Sequence, residues 1–425
     1  SDSTDDNNLT KGKQKLERGG VWYTSSSGIY KPVWVESTPN EFIEDIKITP
    51  LFDKNAINVF VSSNVDKVVS IKFLNYKFEI YTNKEEVISN LDLPIWSLEE
   101  PNLIDVEVKL NDDVAHTYFG FRKIEIKNNY IYLNNKKIII NGLLDQGYYY
   151  GGGLTPTNYD DYLNDVINIK NLGFNTIRVH IKKELDMFYY YCDLNGILVI
   201  QDIPNGGDKY NAYTTIRGGL FPFIKKKNDH NYKAFSRTSI DSRNEYYEVL
   251  NDIINSLNNH PSIIIYTLFN EGWGQFDSKD VYNYAKNIDS SRIYDVASGW
   301  YDNGFNEIIS IHSYFYPLRI PKKLKKPFLF TEFGGYSLKL DDHFYGNKNF
   351  GYRHYKNSSE LTKAYKKLYM NKIIPLIDKG LGGVIYTQLN DVEDEVNGLY
   401  TFDRKILKVN KDDIININNL IKEKE

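Results

Sequence analysis

A chain of 425 residues with 41% hydrophobic and 25% charged side chains has enough apolar material for at least one large core, and at ~150 residues per domain it suggests two or three units. Its 52 basic and 56 acidic residues leave a net charge of -4, which gives no electrostatic reason to expect a nucleic-acid partner. No uncharged apolar run approaches the ~18 residues of a membrane span, and the single cysteine, Cys192, excludes an intrachain disulfide framework and a cysteine-rich metal centre.

The opening residues 1–8 read as a polar loop with no signal peptide visible, and cytoplasmic and secreted locations stay undistinguished. Residues 1–38 hold only a few strands, too little sheet to close a core, so they read as the tail of a larger β domain. Between 39 and 121 the pattern has period two. Ile57, Val59 and Val61 alternate with polar residues, as do Val69, Ile71 and Phe73, and then Val106, Val108 and Leu110, which predicts a small β-sandwich. From 122 onward short β-rich runs recur at 137–144, 176–181, 197–203, 262–270, 293–298, 308–315, 328–333 and 383–389. Helical stripes lie between several of them, such as Leu250, Ile253, Ile254 and Leu257, and Leu163, Val166 and Ile167 ahead of Gly173. Eight strand-helix units in roughly 300 residues predict a (β/α)8 barrel. A doubly wound sheet is disfavoured, because Gly151-Gly152-Gly153 lacks dinucleotide-loop spacing. Segments 205–240 and 334–360 are too long for plain connectors and read as functional loops at the C-terminal face, while the lysine run 225–227 reads as a solvated tip.

Polar residues at the strand ends are then the candidates for chemistry: Asp145, Arg178, His180, Asp202, Asn270, Glu271, Trp300, His312, Tyr314, Glu332, Gln388, Asn390 and Asp391. Glu271 and Glu332 each end an apolar run, which predicts poorly solvated carboxylates at the barrel rim with tunable pKa values. Two such groups facing one cavity suit glycoside hydrolysis, in which one carboxyl donates a proton and the other attacks or activates water.

With these residues in view, the chain resembles glycoside hydrolase family 2, the β-galactosidases, β-glucuronidases and β-mannosidases. The resemblance rests on Trp22-Tyr23-Thr24 and the stretch 27–36, on 96–101 and 118–122, on Asn259-His260-Pro261-Ser262 through Asn270-Glu271, and on Lys326-Pro327 through Thr331-Glu332-Phe333-Gly334. It implies the last strands of a jelly-roll sugar-binding domain at 1–38, an immunoglobulin-like β-sandwich at 39–121 and a catalytic TIM barrel at 122–425. It also implies Glu271 as acid/base, Glu332 as nucleophile, Asn270 on the sugar 2-hydroxyl, and Arg178 and Tyr314 orienting an ionised Glu332. His312, Asp202 and Trp273 are expected to bind sugar.

The activity implied is a retaining exo-β-glycosidase on an oligosaccharide or glycan. β-Galactosidase is the default by family frequency, with β-mannosidase, β-glucosidase or arabinopyranosidase specificity and a non-catalytic carbohydrate-binding relative as alternatives. Thr387 stands where many relatives carry tryptophan, and Glu395-Val396-Asn397 lacks the lysine of the uronic-acid enzymes, which argues against a glucuronidase. No redox cofactor is expected, and a divalent metal and a homo-oligomer are left open. The 391–395 run reads as a solvated or locally hydrogen-bonded loop in preference to a metal site.

Overall fold

The computed structural model describes residues 9–211, 213–214 and 227–425, so most of the lysine run and part of the 205–240 loop lie outside the described residues. Residues 9–38, expected as jelly-roll strands, form one two-residue parallel pair, Gln14–Lys15 with Tyr23–Thr24, and an antiparallel bridge from Lys11 to Gly206 on the barrel.

The period-two segments become β1 (Ile43–Leu51), β2 (Ala56–Ser63), β3 (Val68–Phe73), β4 (Tyr76–Tyr81), β5 (Glu85–Ile88), β6 (Ile104–Leu110) and β7 (Asp113–Phe119). They pair as two antiparallel sheets, β1-β2-β5 and β4-β3-β6-β7. The inward set, including Val59, Val61, Val69, Ile71, Val106 and Val108, comes from both sheets and forms one core. The Asn111-Asp112 loop between β6 and β7 places Asn111 at φ 54, the left-handed turn that two-residue hairpin loops demand.

The run expected at 137–144 is two elements. β8 (Ile124–Lys127), β9 (Tyr130–Leu133) and β10 (Lys136–Ile138) form a separate antiparallel sheet, and the barrel begins with β11 (Ile140–Asp145). Both pieces are apolar and contiguous, so periodicity alone does not divide them. The barrel continues with β12 (Thr176–Val179), β13 (Leu198–Asp202), β14 (Ile263–Asn270), β15 (Ile293–Ser298), β16 (Ile309–Ser313), β17 (Phe328–Gly334) and β18 (Leu381–Thr387). All are parallel, in the order β15-β14-β13-β12-β11-β18-β17-β16. Its interior is filled by Ile140, Leu144, Leu198, Ile200, Ile265, Leu329 and Ile385; Ile131, Leu133 and Ile138 join the same cluster from the sheet that leads into β11, and Trp96 joins it from the connection between β5 and β6. The barrel is a packed core with one open end.

Helices α1 (Asp160–Asn171), α2 (Asp186–Asn195), α3 (Ile240–Ser256), α4 (Ser278–Ile288), α5 (Ser358–Leu368) and α6 (Lys411–Lys422) cover the outside. α3 buries Leu250, Ile253 and Ile254 as its pattern predicts. α1 buries Tyr162, Asp165, Val166 and Ile169, and leaves Ile167 at 37% exposure, so the expected stripe is rotated. The cause is a buried ion pair on the inner face: Arg404 Nε lies 2.9 Å from Asp165 Oδ2. Among the described residues no helix is long and apolar enough to cross a membrane.

The two-sheet unit is fastened to the barrel through the Asn259-His260-Pro261-Ser262 stretch. Asn259 donates to Ile46 O at 2.8 Å and accepts from Ile48 N at 2.9 Å, closing the edge of β1. His260 and the Ser262 amide meet Asp193 at 2.6 and 2.9 Å, while Trp96 Nε1 donates to Asp193 O at 2.9 Å. Arg122 adds bonds to the carbonyls of Pro261 and Ile263 at 3.0 and 2.7 Å. These contacts set the start of β14, whose far end carries Asn270 and Glu271.

Candidate active site

A cavity of about 430 Å³ opens at the C-terminal ends of the strands. Asn270, Glu271, Trp273, His312, Tyr314 and Glu332 line it, as expected from the sequence. Arg178 and Asp202 lie beneath its floor and are fully buried.

Arg178 organises that floor. Its guanidinium donates to both oxygens of Asp202 at 3.0 Å, to Asn270 Oδ1 at 2.9 Å, to the Thr331 carbonyl at 3.0 Å and to Glu332 Oε1 at 3.3 Å. These partners come from β13, β14 and β17, so one side chain from β12 ties four strand ends together. Asp202 also takes His180 Nδ1 at 2.9 Å. Its oxygens are therefore spent on Arg178 and His180, away from the cavity where a sugar hydroxyl would sit. The bond to Asn270 Oδ1 turns the amide oxygen toward Arg178 and commits the NH2 to the cavity that Asn270 lines.

Burial opposes ionisation of Glu332, but the charges of its neighbours outweigh it and hold the carboxyl well below the usual carboxylate range. These neighbours are His312, His180, Arg178 and Lys13, in that order, and the Arg178 guanidinium among them is permanently charged. His180, lowered to about 4 by burial and by the charge of Lys13, is neutral at neutral pH. The Tyr314 hydroxyl donates to Glu332 Oε2 at 2.7 Å, and burial together with the adjacent carboxylate drives its own pKa up, so the proton stays on the tyrosine. Tyr314 is held in turn by Thr387 Oγ1 at 2.8 Å and by stacking on Tyr352 at 3.9 Å. Thr387 thus acts as a support for this hydroxyl.

Glu271 sits just past β14 with φ 55, followed by Gly272 at φ 69. A left-handed glutamate is strained and persists only where the surroundings fix it. Here its amide donates to Ser298 O at 3.0 Å and its carbonyl accepts from Trp300 Nε1 at 2.9 Å. A Cβ on Gly272 would approach the Tyr301 ring to 2.6 Å, so the turn requires glycine. The twist brings the Glu271 carboxylate back over the barrel mouth. His312 stands between the two acids, with Nδ1 2.9 Å from Glu271 Oε1 and Nε2 3.5 Å from Glu332 Oε1. Oxygens of the two carboxylates lie within 4.8 Å of each other.

The same three side chains are the group of described residues that could hold a metal ion. Arg178 Nη1, however, already stands 3.3 Å from Glu332 Oε1 and 3.4 Å from His312 Nε2 and supplies positive charge at that point. The acidic 391–395 run forms no such group. Asp391 pairs with Lys408 at 2.6 Å, Asp394 accepts from the Asn347 amide at 2.5 Å, and Glu395 accepts from the Tyr23 hydroxyl. The run is locally hydrogen-bonded, and Asp391, Asp394 and Glu395 are buried, not solvated.

Several lining residues escape the strand-end reading. Lys13 and Trp22 arrive from the N-terminal segment, Tyr210 and Tyr352 from the two long loops, and Gln146 from one residue past Asp145. Trp273 packs edge-on against Trp22 at 5.1 Å and Tyr210 at 5.8 Å, so the expected sugar platform is a cluster of three rings. Tyr210 and Tyr352 carried a signal in the length and aromatic content of their loops, and Trp22 in the stretch that resembles the family, while Lys13 and Gln146 carried none.

Comparison with known proteins agrees with this architecture. A putative β-glucuronidase from Formosa agariphila is 26% identical over 73% of this chain and 40% of its own length. A β-galactosidase from Lactobacillus delbrueckii subsp. bulgaricus is 22% identical over 75% of this chain and 33% of its own. The chain thus spans well under half the length of these curated relatives. Among solved structures, a Ruminococcus gnavus β-glucuronidase superposes with a TM-score of 0.71 at 16% identity, covering 91% of this chain and 70% of that one. A β-galacturonidase from Eisenbergiella tayi superposes at 0.64 and 18% identity, covering 91% and 73%. At such identities the superpositions speak for the fold. Residues 124–400 match the model of the glycosyl hydrolases family 2 TIM barrel domain, and with that span and this barrel the chain belongs to glycoside hydrolase family 2.

Proposed function

We propose that this chain carries the catalytic centre of a retaining exo-β-glycosidase, with Glu332 as nucleophile and Glu271 as acid/base. The observation that carries the reading is the approach of one oxygen of each carboxylate to within 4.8 Å, which supports the ~5–5.5 Å pairing of retaining enzymes over the ~6.5–9.5 Å that leaves room for water in inverting ones. Glu332 attacks the anomeric carbon as the bond to the leaving oxygen breaks, and the proton of Glu271 passes to that oxygen. The product of this step is a glycosyl ester on Glu332. Glu271, now a carboxylate, takes a proton from water whose oxygen attacks the same carbon, and Glu332 is released. Arg178 and Tyr314 keep Glu332 ionised and aligned through both steps. Asn270 donates to the sugar 2-hydroxyl, a contact that strengthens in the transition state.

The relatives named above include both β-galactosidases and β-glucuronidases, so the family leaves the sugar undecided. In this reading residues 39–121 are the immunoglobulin-like sandwich and 122–425 the catalytic barrel, while Lys13 and Trp22 of the N-terminal segment contribute to the mouth of the site. Proton NMR of the first-formed hydrolysis product tests the reading. Release of the β-anomer before mutarotation is the expected result, and initial release of the α-anomer would refute it.

A further inference from the structure

The cavity holds one lysine or arginine among its described lining residues, Lys13, and it comes from a segment with no regular part in the barrel. The segment is nonetheless well anchored. Lys11 and Gly206 exchange backbone hydrogen bonds at 2.9 and 3.0 Å, the Lys13 carbonyl accepts from Tyr23 N at 2.9 Å, and the fully buried Tyr23 bonds Glu395. Lys13 is therefore presented to the cavity from a fixed backbone.

Among the described residues Lys13 makes no ion pair, and its charge acts on Glu332 and Glu395 from beyond contact distance. The neighbouring acids are committed elsewhere. Glu332 faces Arg178, and Glu395 has the Tyr23 hydroxyl on one oxygen and Asn397 Nδ2 at 3.0 Å on the other. Burial raises the pKa of Glu395 against the pull of Lys13 and of its two hydrogen-bond donors. Of the segment's other cations, Lys15 lies over the Trp22 ring at 3.7 Å and Arg18 pairs with Glu393 at 3.0 Å. Lys13 is half-buried at the cavity wall without a contact ion pair, so a ligand anion entering the cavity can form one with it.

We propose that Lys13 reads a carboxylate on the substrate's sugar, so that the site takes β-linked uronosyl residues in preference to neutral sugars. The proposal rests on the reading of Glu271 and Glu332 as a glycosidase pair. It adds a specificity-determining residue from outside the barrel and a substrate class.

The test is kcat/KM of the 425-residue chain on p-nitrophenyl β-glucuronide, β-galacturonide, β-glucoside and β-galactoside, for the wild type, Lys13→Gln and Lys13→Arg. One uronide is expected to exceed its neutral counterpart. Lys13→Gln is expected to lower that uronide-to-neutral ratio about 30-fold, the worth of a hydrogen bond to a charged group, while Lys13→Arg, which keeps the charge, retains most of it. Inhibition by the free uronic acid against that by the parent sugar reads the same contact in binding alone, and melting curves establish that the variants are folded. Preference for a neutral sugar, or an unmoved ratio in folded Lys13→Gln, overturns the proposal and leaves the glycosidase reading intact. Failure to hydrolyse any of the four, with no covalent sugar on Glu332, overturns both.

Discussion

Arg178 shows how much one buried side chain does at this site. Burial alone would raise the pKa of Glu332, and the charges of His312, His180, Arg178 and Lys13 together reverse the sign, with the Arg178 guanidinium 3.3 Å away. A depressed native pKa contributes stability that is present above the unfolded value, about 4.3, and is lost as pH falls through the native one. Arg178→Met removes the charge, so Glu332 titrates at higher pH, and the acid limb of kcat/KM moves up the pH scale. The same change leaves Asp202 buried without its bidentate partner, at a cost of about 3–5 kcal/mol in a denaturant titration. An acid limb that stays in place would assign the ionisation of Glu332 to other groups. The two glutamates were legible in the sequence because each terminates an apolar strand. Arg178's place beside Glu332 came only from the family resemblance, and its bonds to Asp202, Asn270 and the Thr331 carbonyl were not legible, because they come from strands brought together only by barrel closure. Lys13 was invisible for a further reason: a lone lysine in a segment without periodicity carries no pattern.

The elements show where the barrel is weakest. Among the described residues no backbone ladder joins β15 to β16, and side chains take its place. Asn306 accepts from Ala297 N at 2.8 Å and donates to Ala297 O at 3.1 Å, imitating the missing strand with its amide. Glu307 does the same one register earlier, its carboxylate accepting from Tyr294 N at 2.8 Å and its own amide donating to Tyr294 O at 3.0 Å. Ser310 bridges deeper, donating to Asp295 at 2.6 Å and meeting Ser298 at 2.9 Å. Ser298 then reaches His312 at 3.0 Å, so this seam ends on the residue between the two glutamates. Asn306→Ala leaves a buried N–H and C=O unpaired on β15 and is expected to cost about 2–4 kcal/mol in chemical denaturation. A loss near zero would mean that water or backbone movement replaces the amide. The sequence announced all eight barrel strands by their apolar runs. It did not announce which pair would lack a ladder, because Asn306 and Glu307 look like ordinary loop residues until their carbonyl and carboxylate oxygens are seen on a strand edge. The rotated face of α1 has the same origin, a buried Asp165 whose partner Arg404 lies 239 residues away.

At the scale of the whole molecule the two-sheet unit and the barrel behave as one structure, joined where β14 begins. Trp96, fully buried, packs with the barrel's interior cluster while its indole nitrogen bonds Asp193, the residue that also holds His260 and Ser262. Trp96→Ala is expected to cost about 3–5 kcal/mol, the usual loss for a large buried aromatic, with fluorescence and circular dichroism still reporting a single transition. Two separated transitions would show that the units are energetically independent. The period-two strands and the change of rhythm near residue 122 made this division visible in the sequence, whereas the coupling rests on long-range contacts such as Asn259 to Ile46 and Ile48.

The central claim is that Glu332, held ionised in a buried site and facing Glu271, forms a covalent bond to the sugar. It is tested most directly by intact-mass and peptide-mass analysis after incubation with activated 2-deoxy-2-fluoro β-glycosides of glucuronic acid, galacturonic acid, glucose and galactose. The fluorine destabilises the oxocarbenium-like transition state and stalls the ester intermediate. The expected result is one added sugar per chain, on the peptide that contains Glu332. A folded protein that hydrolyses the matching glycoside yet carries no adduct, or carries it on another residue, would contradict the account.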